Sequence, residues 1–343
     1  MSLPPVEIRP YQPDDEDGVL RLLQAAFGGW PGPICETASE TPCEVFRWKH
    51  MGNPFGCSVM MVAEAGGGPV GFAGWMRWRV AAGENGFEAM RCVDAAVDHG
   101  YRRRGIWVAL QRESMDHFPP GAAFTFSFPN KSSRPGALKH GTREIGAFPT
   151  LVRLGAPLRT ARRLLVDDNR HIGCQPGPAV DSEPVADALD DRDGIHDLLH
   201  RVEQPAGRLT TVKDLGYLKW RYASPAYRAI CEHREGRLAG IAIFRLRPRG
   251  RAWVSVVCEL LVEPGDGVVA RRLLRRVVCA ARTDLVVCHF PPGSTARRAA
   301  LQSGFVRATA GPAPHVQLLT DEVAPDPTKA GSWAISLGDI DQI

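Results

Sequence analysis

The sequence predicts an α/β protein of two tandem domains, each with a mixed, mostly antiparallel sheet flanked by helices. Two observations support this fold class. The 343 residues, 44% of them hydrophobic and 23% charged, suit two soluble domains of about 150 residues each. In addition, five segments of the first half recur in the same order in the second half, and each half mixes strand-like with helical patterns.

The repeat begins with a helix that follows an acidic turn. Asp14–Leu23 reads DDEDGVLRLL, and Asp190–Leu199 reads DDRDGIHDLL. Apolar residues recur at helical spacing in both segments, and the leading aspartates can accept hydrogen bonds from the free N–H groups of a helix N-terminus. We therefore predict equivalent first helices in the two halves.

Four more segments of the first half have counterparts further along the chain. The matched pairs are Trp48–His50 with Trp220–Tyr222, 61–74 with 231–244, Asp94 with Glu259, and 124–129 with 286–291. One such match could arise by chance, but five in the same order indicate a duplicated domain. The segment 166–186 is rich in Gly and Pro and lacks apolar periodicity, so we predict domains at 1–165 and 187–343 joined by this linker.

Composition excludes several classes of protein. The formal net charge of +4 gives no case for nucleic-acid binding. No apolar run approaches the roughly 20 residues that cross a bilayer, and the N-terminal segment does not resemble a signal peptide. The nine cysteines are scattered without a C-x-x-C pair, which argues against a zinc site or a disulfide framework. We expect a cytoplasmic monomer or homodimer with no metal, no membrane and no nucleic-acid partner.

The most informative segment is Met90–Gln111, MRCVDAAVDHGYRRRGIWVALQ. A β-rich run passes through three arginines and a glycine into an amphipathic helix. A basic turn at a helix N-terminus is suited to anions, because backbone N–H groups and the positive end of the helix dipole face outward there. Arginine side chains add donors for phosphate groups. A solvent-exposed surface loop is the alternative interpretation of this turn.

This segment resembles the acyl-CoA-binding segment of the GNAT superfamily of N-acyltransferases, whose pattern is Arg/Gln-x-x-Gly-x-Gly/Ala after a bulged strand. Arg102 and Gly105 match the pattern, whereas Trp107 stands where a small residue is usual. The stretch 124–141 is similar to the next strand and helix of the family. The resemblance implies two GNAT-like domains, with acyl-CoA as co-substrate of the first.

The resemblance also implies which residues hold acyl-CoA. The strand backbone is expected to pair with the pantetheine amides, and the turn is expected to hold the pyrophosphate. The cofactor-binding candidates are Val93, Ala95, Val97, Arg102, Arg103, Arg104, Gly105, Ile106, Trp107 and Asn130. The equivalent turn of the second copy, 263–267, has two acids and no arginine, so we expect a degenerate copy that shapes the acceptor pocket. Arg271 and Arg272, one turn later, leave phosphate binding there as an alternative.

Acyl transfer to an amine requires proton transfers, for which the sequence offers several groups. In many family members a tyrosine protonates the departing thiolate, but Ala137 stands at that position here. His140 is a candidate substitute, and unassisted departure is the alternative. Asp94 and Glu259, at equivalent positions on the central strand of each copy, are candidate bases; a structural hydrogen bond is the alternative role.

His196 is a further candidate base, because its counterpart in the first copy is the apolar Leu20 and imidazole titrates near neutral pH. A solvated helix surface is the alternative interpretation of His196 and the nearby His200. Metal binding by this pair lacks an evident third ligand. Trp30 lies in the loop after the first helix, which often borders the acceptor in the GNAT superfamily, so the resemblance implies a place in the acceptor pocket; a core position is the alternative.

We therefore expect an N-acyltransferase that moves an acetyl or longer acyl group to a primary amine. The acceptor predicted is a small-molecule or glycosylated amine, such as an amino sugar of a glycopeptide antibiotic, which would place the protein in antibiotic biosynthesis. One alternative is a non-catalytic acyl-CoA-binding protein with a regulatory or interaction role. Another is a transferase of the cell-wall type that uses aminoacyl-tRNA, which the RRRG turn disfavours. The tail 325–343 is expected to be a final strand or a partner-binding arm.

Overall fold

The computed structural model describes residues 4–31, 41–130, 133–139, 141–155, 181–202, 207–249, 252–308 and 311–340. The chain divides into two compact units. The first comprises Met1–Gly146 with Ala313–Ser332, and the second comprises Ala147–Pro312 with Trp333–Asp341. Each unit is a mostly antiparallel sheet flanked by helices, which confirms the predicted fold class.

The first unit contains one sheet, in the spatial order β1-β2-β3-β4-β5-β15-β6. Numbered along the whole chain, its strands are β1 (Glu7–Pro10), β2 (Val59–Ala65), β3 (Gly68–Ala82), β4 (Asn85–Val97), β5 (Ala122–Ser127), β6 (Arg143–Glu144) and β15 (His315–Leu318). Its helices are α1 (Glu16–Phe27), α2 (Pro42–His50), α3 (Ile106–Asp116) and α4 (Arg134–Lys139). Short 3-10 turns lie at Pro13–Asp15, His99–Tyr101 and Ala330–Ser332.

The second unit contains a sheet in the spatial order β14-β7-β13-β12-β11-β10-β8. Its strands are β7 (Leu151–Leu154), β8 (Glu183–Pro184), β10 (Tyr227–Arg234), β11 (Arg237–Arg249), β12 (Ala252–Val262), β13 (Leu285–Cys288) and β14 (Val306–Arg307), with the two-residue β9 (Thr210–Thr211) before β10 in the chain. Its helices are α5 (Val185–Ala188), α6 (Arg192–Arg201), α7 (Leu215–Arg221), α8 (Gly267–Ala281), α9 (Thr295–Gln302) and α10 (Leu337–Ile340).

The two sheets exchange one strand each. In the first sheet β15, from far along the chain, lies between β5 and β6, and in the second sheet β7 lies at the same place, between β13 and β14. The segment 151–154 therefore belongs to the second sheet, and β8 lies within the segment predicted as a linker. Periodicity alone did not predict this exchange. The runs LVRL (151–154) and HVQL (315–318) are equally short, and either one suits the same position in a sheet.

The central strands of the two sheets share one register. Gly71 and Gly240 each lie opposite the last residue of the following strand, and in both sheets the pairing then shifts at a bulge. Asp94 and Glu259 each lie three residues before the end of their strand, so the structure places them at the same position of the repeat, as the sequence predicted. Asp94 has a φ of 40° at this bulge, a conformation that aspartate tolerates better than most residues.

Helices cover both faces of the first sheet. Ile106 and Leu110 of α3 pack on one face, where they meet Met61 and Ala63. The helices α1 and α2 pack on the other face, with their apolar side chains around Phe72. Each fully buried side chain of this size stabilises the fold by about 1.5–3 kcal/mol relative to exposure. The helix predicted at the start of each copy is present, as α1 and α6.

Residues 333–340 belong to the second unit. Trp333 forms a parallel bridge with Leu209, and α10 packs against β12. Gly338 is essential to this packing, because a Cβ atom there would lie 2.0 Å from Tyr222 Oη and 2.6 Å from Glu259 Oε1. The tail 325–343, expected as a final strand or a partner-binding arm, therefore contains a buried short helix, α10.

Candidate active site

The first candidate feature is a divergence of two parallel strands. The pairing of β4 with β5 ends at Arg91 and Phe126. Beyond this point β4 continues through its bulge to Val97, and Val93, Ala95 and Val97 are all half-buried. The cofactor-binding candidates on β4 thus lie in the part of the strand that no longer pairs with β5. Backbone groups there can pair with an extended ligand.

The second feature is the turn between β4 and α3. Arg102, Arg103 and Arg104 are exposed, and Arg103 and Gly105 adopt left-handed φ values of 61° and 78°. Arg102 Nε donates to the carbonyl of Val97 at 3.1 Å, which ties the turn to the end of the strand. Gly105 is the N-cap residue of α3, and no side chain caps this helix within the fully described segment 99–116. Its first N–H groups therefore remain available to an anion.

The equivalent turn of the second copy differs in this respect. Asp266 is the N-cap of α8, and its carboxylate accepts from the N–H of Val269 at 3.0 Å. The N–H of Gly265 donates to Thr295 Oγ1 at 2.9 Å. Glu263 pairs with the Arg237 guanidinium. The donors of this turn are thus occupied by protein groups, and its carboxylates oppose an incoming phosphate.

The arginines one turn into α8 also have protein partners. Arg271 donates to the side-chain oxygen of Gln302 at 2.7 Å, and Arg272 pairs with Glu232. These contacts direct both guanidinium groups to neighbouring side chains of the second unit.

At the bulge of the first sheet, Asp94 forms a polar cluster with residues from α2 and from the loop after α1. Its carboxylate lies 2.5 Å from Lys49 Nζ and 3.2 Å from His50 Nε2, and it accepts from Trp30 Nε1 at 3.0 Å. Lys49 and His50 are almost completely buried. His50 Nδ1 lies 3.0 Å from Ser58 Oγ. The structure therefore brings two predicted site residues together, since Trp30 contacts Asp94.

The ionisation of this cluster follows from its contacts. Burial alone would raise the pKa of Asp94, but the Lys49 ammonium and the His50 hydrogen bond outweigh it and hold the pKa well below the usual range. Burial lowers the pKa of His50, so its ring is neutral at pH 7. An ionised carboxylate only accepts hydrogen bonds. His50 Nε2 therefore donates to Asp94, and Nδ1 accepts from the Ser58 hydroxyl.

Glu259 occupies the equivalent position in the second sheet and also has a cationic partner. Its carboxylate accepts from Lys213 Nζ at 2.9 Å, from Tyr222 Oη at 2.8 Å and from Ser336 Oγ at 2.9 Å. Asp339 is a second carboxylate on the same ammonium, 3.1 Å from Lys213 Nζ. His50 and Tyr222 are therefore equivalent. Each is the last residue of its matched segment, Trp48–His50 or Trp220–Tyr222, and each contacts the carboxylate of its own copy.

Burial raises the pKa of Glu259, and Lys213 offsets this only in part. Asp339 behaves oppositely, because Lys213 and the backbone N–H of Ser336 outweigh its burial and lower its pKa. All the hydrogen-bonding groups in this cluster come from the second unit. Both candidate carboxylate bases are therefore held by several structural contacts.

The remaining candidates have surroundings of their own. His196 is exposed on α6, with its ring 4.4 Å from that of His200. Asn130 is exposed, and its side-chain oxygen accepts from the N–H of Ser133 at 3.0 Å at the start of α4. Ile106 is buried beneath the turn, and Trp107 is half-buried beside Gly136 of α4. His140 lies outside the described residues.

Sequence reasoning did not identify the partners of the two carboxylates. In the sequence Lys49, His50 and Tyr222 stand out only as members of the matched segments Trp48–His50 and Trp220–Tyr222, and no pattern marks Lys213. The sequence does contain a signal for two of these partners. The matched segments Trp48–His50 and Trp220–Tyr222 both end in a polar residue, and each copy has a carboxylate, Asp94 or Glu259, at the equivalent strand position.

Comparisons with known proteins agree with this architecture. Residues 7–139 match the family model described as acetyltransferase (GNAT) domain. A comparison with curated proteins found no significant match. Among the described residues no group of His, Cys, Asp and Glu side chains is arranged to hold a metal ion. No helix of that part of the chain is long and apolar enough to cross a bilayer.

Solved structures of similar fold include three that resemble nearly the whole chain. A probable N-acyltransferase of unknown function from Enterococcus faecalis V583 shares 14% identity at a TM-score of 0.62, over 92% of this chain and 73% of that one. A GCN5-related N-acetyltransferase from Anabaena variabilis ATCC 29413 shares 10% identity at a TM-score of 0.63, with the same coverage of 92% and 73%. One from Kribbella flavida shares 15% identity at 0.59, over 92% and 72%.

The fold and the basic turn define a GNAT-type acyltransferase architecture. Residues 7–139 match a GNAT domain, as the RRRG segment predicted. Likeness over 92% of the chain shows that the shared fold extends through both units. The GNAT domain and this fold support N-acyltransferase activity in general.

Proposed function

We propose that the protein transfers an acetyl or longer acyl group from acyl-CoA to a primary amine, and that its first domain binds the acyl-CoA. One observation carries the proposal. The helix after the central strand is uncapped and preceded by three exposed arginines in the first domain, whereas the equivalent helix of the second is capped by Asp266. A diphosphate needs free donors and positive charge, and only the first turn offers both.

The residues of the first domain suit the other parts of acyl-CoA as well. The edge of β4 from Val93 to Val97, which has diverged from β5, offers backbone groups to the pantetheine amides. The exposed side chains of Arg102, Arg103 and Arg104 suit the phosphates. When bound, acyl-CoA supplies the thioester that the amine attacks.

Asp94 is proposed to act on the incoming amine electrostatically. Because the pKa of Asp94 is held well below its usual range, the carboxylate stays ionised at neutral pH and is a weak base. An ionised carboxylate can accept a hydrogen bond from the amine and stabilise the positive charge that develops on nitrogen during attack. The proton then passes to water or to a second base. No tyrosine stands at position 137 to protonate the thiolate.

The acceptor is proposed to be the amine of an amino sugar, free or carried by a larger natural product such as a glycopeptide antibiotic. Asp94 can accept a hydrogen bond from the amine, and the indole of Trp30 that contacts Asp94 suits the apolar face of a sugar. Transfer from acetyl-CoA and decanoyl-CoA, with the free thiol as readout, over a panel of amino sugars and simple amines tests both acyl length and acceptor.

Calorimetric titration with coenzyme A tests the assignment of the donor site. Replacing Arg102 and Arg104 by Ala should weaken binding at least tenfold, about 1.4 kcal/mol, because charge-assisted phosphate contacts are lost. The matched control, Arg271→Ala with Arg272→Ala, removes two arginines near the equivalent turn and should leave binding unchanged. The reverse pattern would move acyl-CoA to the second domain. Tight binding with no transfer to any amine would favour the non-catalytic alternative, and transfer that requires aminoacyl-tRNA would favour the cell-wall type.

A further inference from the structure

Ser58, His50 and Asp94 form a continuous chain of hydrogen bonds in the first domain. Ser58 Oγ lies 3.0 Å from His50 Nδ1, and His50 Nε2 lies 3.2 Å from Asp94 Oδ2. The serine hydroxyl donates to Nδ1 and the ring donates from Nε2 to the carboxylate, and either nitrogen of a histidine can serve as a base. A hydroxyl, an imidazole and a carboxylate linked in this order are the arrangement that activates a serine as a nucleophile.

Ordered parts of the fold hold this chain in place. His50 is the last residue of α2, and Ser58 directly precedes β2. The N–H of Ser58 donates to the carbonyl of His50 at 2.8 Å, which fixes the serine beside the end of α2. In the loop between them, the Asn53 side chain donates to the carbonyl of Arg77 and accepts from the N–H of Phe55. The hydroxyl and the imidazole are therefore positioned before any ligand binds.

The ionisation of these groups suits proton transfer from the serine. Burial lowers the pKa of His50, so the ring is neutral at pH 7 and Nδ1 can accept a proton. Against the effect of burial, Lys49 and His50 hold the pKa of Asp94 well below the usual range, so the carboxylate is ionised. An ionised carboxylate on Nε2 stabilises the imidazolium that forms when the serine loses its proton.

Ser58 also lines a cavity of about 240 Å³ beside the end of β1. The serine itself is half-buried. The other lining residues, mostly apolar, are Pro10, Tyr11, Val59, Met60, Met61 and His117. The volume is about eight times the share of one molecule in liquid water. The cavity can therefore take the short acyl group of a small ester.

The second domain has the bulge carboxylate without such a chain. Tyr222 occupies the place of His50, and its hydroxyl donates directly to Glu259 at 2.8 Å. Ala226 directly precedes β10, as Ser58 directly precedes β2. At these two positions the second copy thus has neither a basic nitrogen nor a serine hydroxyl. The imidazole and the serine are therefore an addition to the fold and not a requirement of it.

We propose that Ser58 is an activated nucleophile and that the first domain hydrolyses small carboxylic esters with a short apolar acyl group. Ser58 Oγ adds to the carbonyl carbon while its proton moves to His50 Nδ1. The bond to the leaving oxygen then breaks, and His50 gives the proton to that oxygen, which releases the alcohol and leaves an acyl-serine. Water next adds to the acyl carbonyl and gives a proton to His50, which returns it to Ser58 as the acid departs.

This chemistry uses no coenzyme A, so it goes beyond the amine acylation proposed above. Asp94 takes part in both reactions, whereas Ser58 takes part only in the hydrolysis. The two activities can therefore be separated at Ser58.

An ethyl fluorophosphonate tests the nucleophile, because such reagents form a covalent bond with activated serines. Mass analysis of the intact wild type and of its peptides should show one adduct, on Ser58. His50→Gln, which removes the base, should slow this labelling at least 100-fold. Ser303, a half-buried serine directly after α9, is the internal control and should remain unlabelled. Absence of the adduct on Ser58 at millimolar reagent, equal labelling of Ser303, or labelling at the full rate in His50→Gln would overturn the proposal.

Hydrolysis of p-nitrophenyl butyrate measures turnover at the same serine. Ser58→Ala should lower the rate at least 100-fold, whereas Ser303→Ala should keep the wild-type rate. Circular dichroism and coenzyme A affinity should be the same in Ser58→Ala as in the wild type, which shows that the variant is folded. Ester hydrolysis without any amine acylation would contradict only the function proposed above. Hydrolysis that is absent from the wild type, or unchanged by Ser58→Ala, would contradict the assignment of Ser58.

Discussion

Replacing Asp94 by Asn tests whether the cluster at the first bulge is an ion pair that stabilises the fold. The carboxylate lies 2.5 Å from Lys49 Nζ, and the Lys49 side chain is only 1% exposed. At an effective dielectric constant of about 20, a contact this short corresponds to roughly 7 kcal/mol of gross attraction. Desolvation offsets much of this, and removing one partner of a buried pair typically costs about 3–5 kcal/mol. We expect Asp94→Asn to lower the free energy of unfolding by that amount.

Urea denaturation at pH 7 measures this cost, and a double-mutant cycle isolates the pair. Asp94→Asn and Lys49→Met should each be destabilising, while the double variant should lose about 2–3 kcal/mol less than their sum. Glu88→Gln is the control on the same strand, since Glu88 forms partly exposed pairs with Arg77 at 3.0 Å and with Arg79 at 3.1 Å. Such a pair contributes at most about 1 kcal/mol. Additive single effects, or an Asp94→Asn cost no larger than that of Glu88→Gln, would refute the reasoning.

The pH dependence of this difference has a definite sign. The folded-state pKa of Asp94 lies below its unfolded value of about 3.9. The stabilisation is therefore fully present above about pH 3.9. It declines below that value and is lost once the pH falls through the folded-state pKa. The gap in stability between the wild type and Asp94→Asn should accordingly shrink in acid and stay constant between pH 5 and 8.

Three other predictions concern the second domain, the candidate base and metals. Gly338→Ala should cost about 1–3 kcal/mol of stability, because its Cβ would overlap Tyr222; Gly331→Ala, with open space around its Cα, should be near neutral in the same thermal melts. His196→Ala should lower turnover by about 100-fold with unchanged acyl-CoA affinity, and near-normal turnover would assign His196 to the solvated helix surface. Chelator treatment should leave transfer activity intact, whereas stoichiometric metal lost together with activity would contradict this.

The sequence was sufficient to predict the repeat and the main elements. Helical spacing after an acidic turn identified α1 and α6, and the RRRG turn indicated the GNAT domain, because both signals are local. The equivalence of Asp94 and Glu259 also followed from the order of matched segments. Each of these inferences depends on residues that are close together in the chain.

The contacts around the carboxylates were not predictable in the same way. Lys49 reaches Asp94 across 45 residues, and Lys213 reaches Asp339 across 126. No periodicity links such positions, so only the folded structure shows them as neighbours. The strand exchange was missed for a related reason, since a four-residue apolar strand carries no information about which of two similar sheets it joins.

The exchange of β7 and β15 has a consequence for how the protein is made. During synthesis β5 and β6 leave the ribosome early, but the strand that lies between them follows only after β14. Until then β5 is an open edge of the nascent first sheet, and open edges of this kind can pair with other chains. A truncated product that ends between the two copies would keep this edge exposed. Each sheet therefore needs a strand from the other half of the chain to be complete.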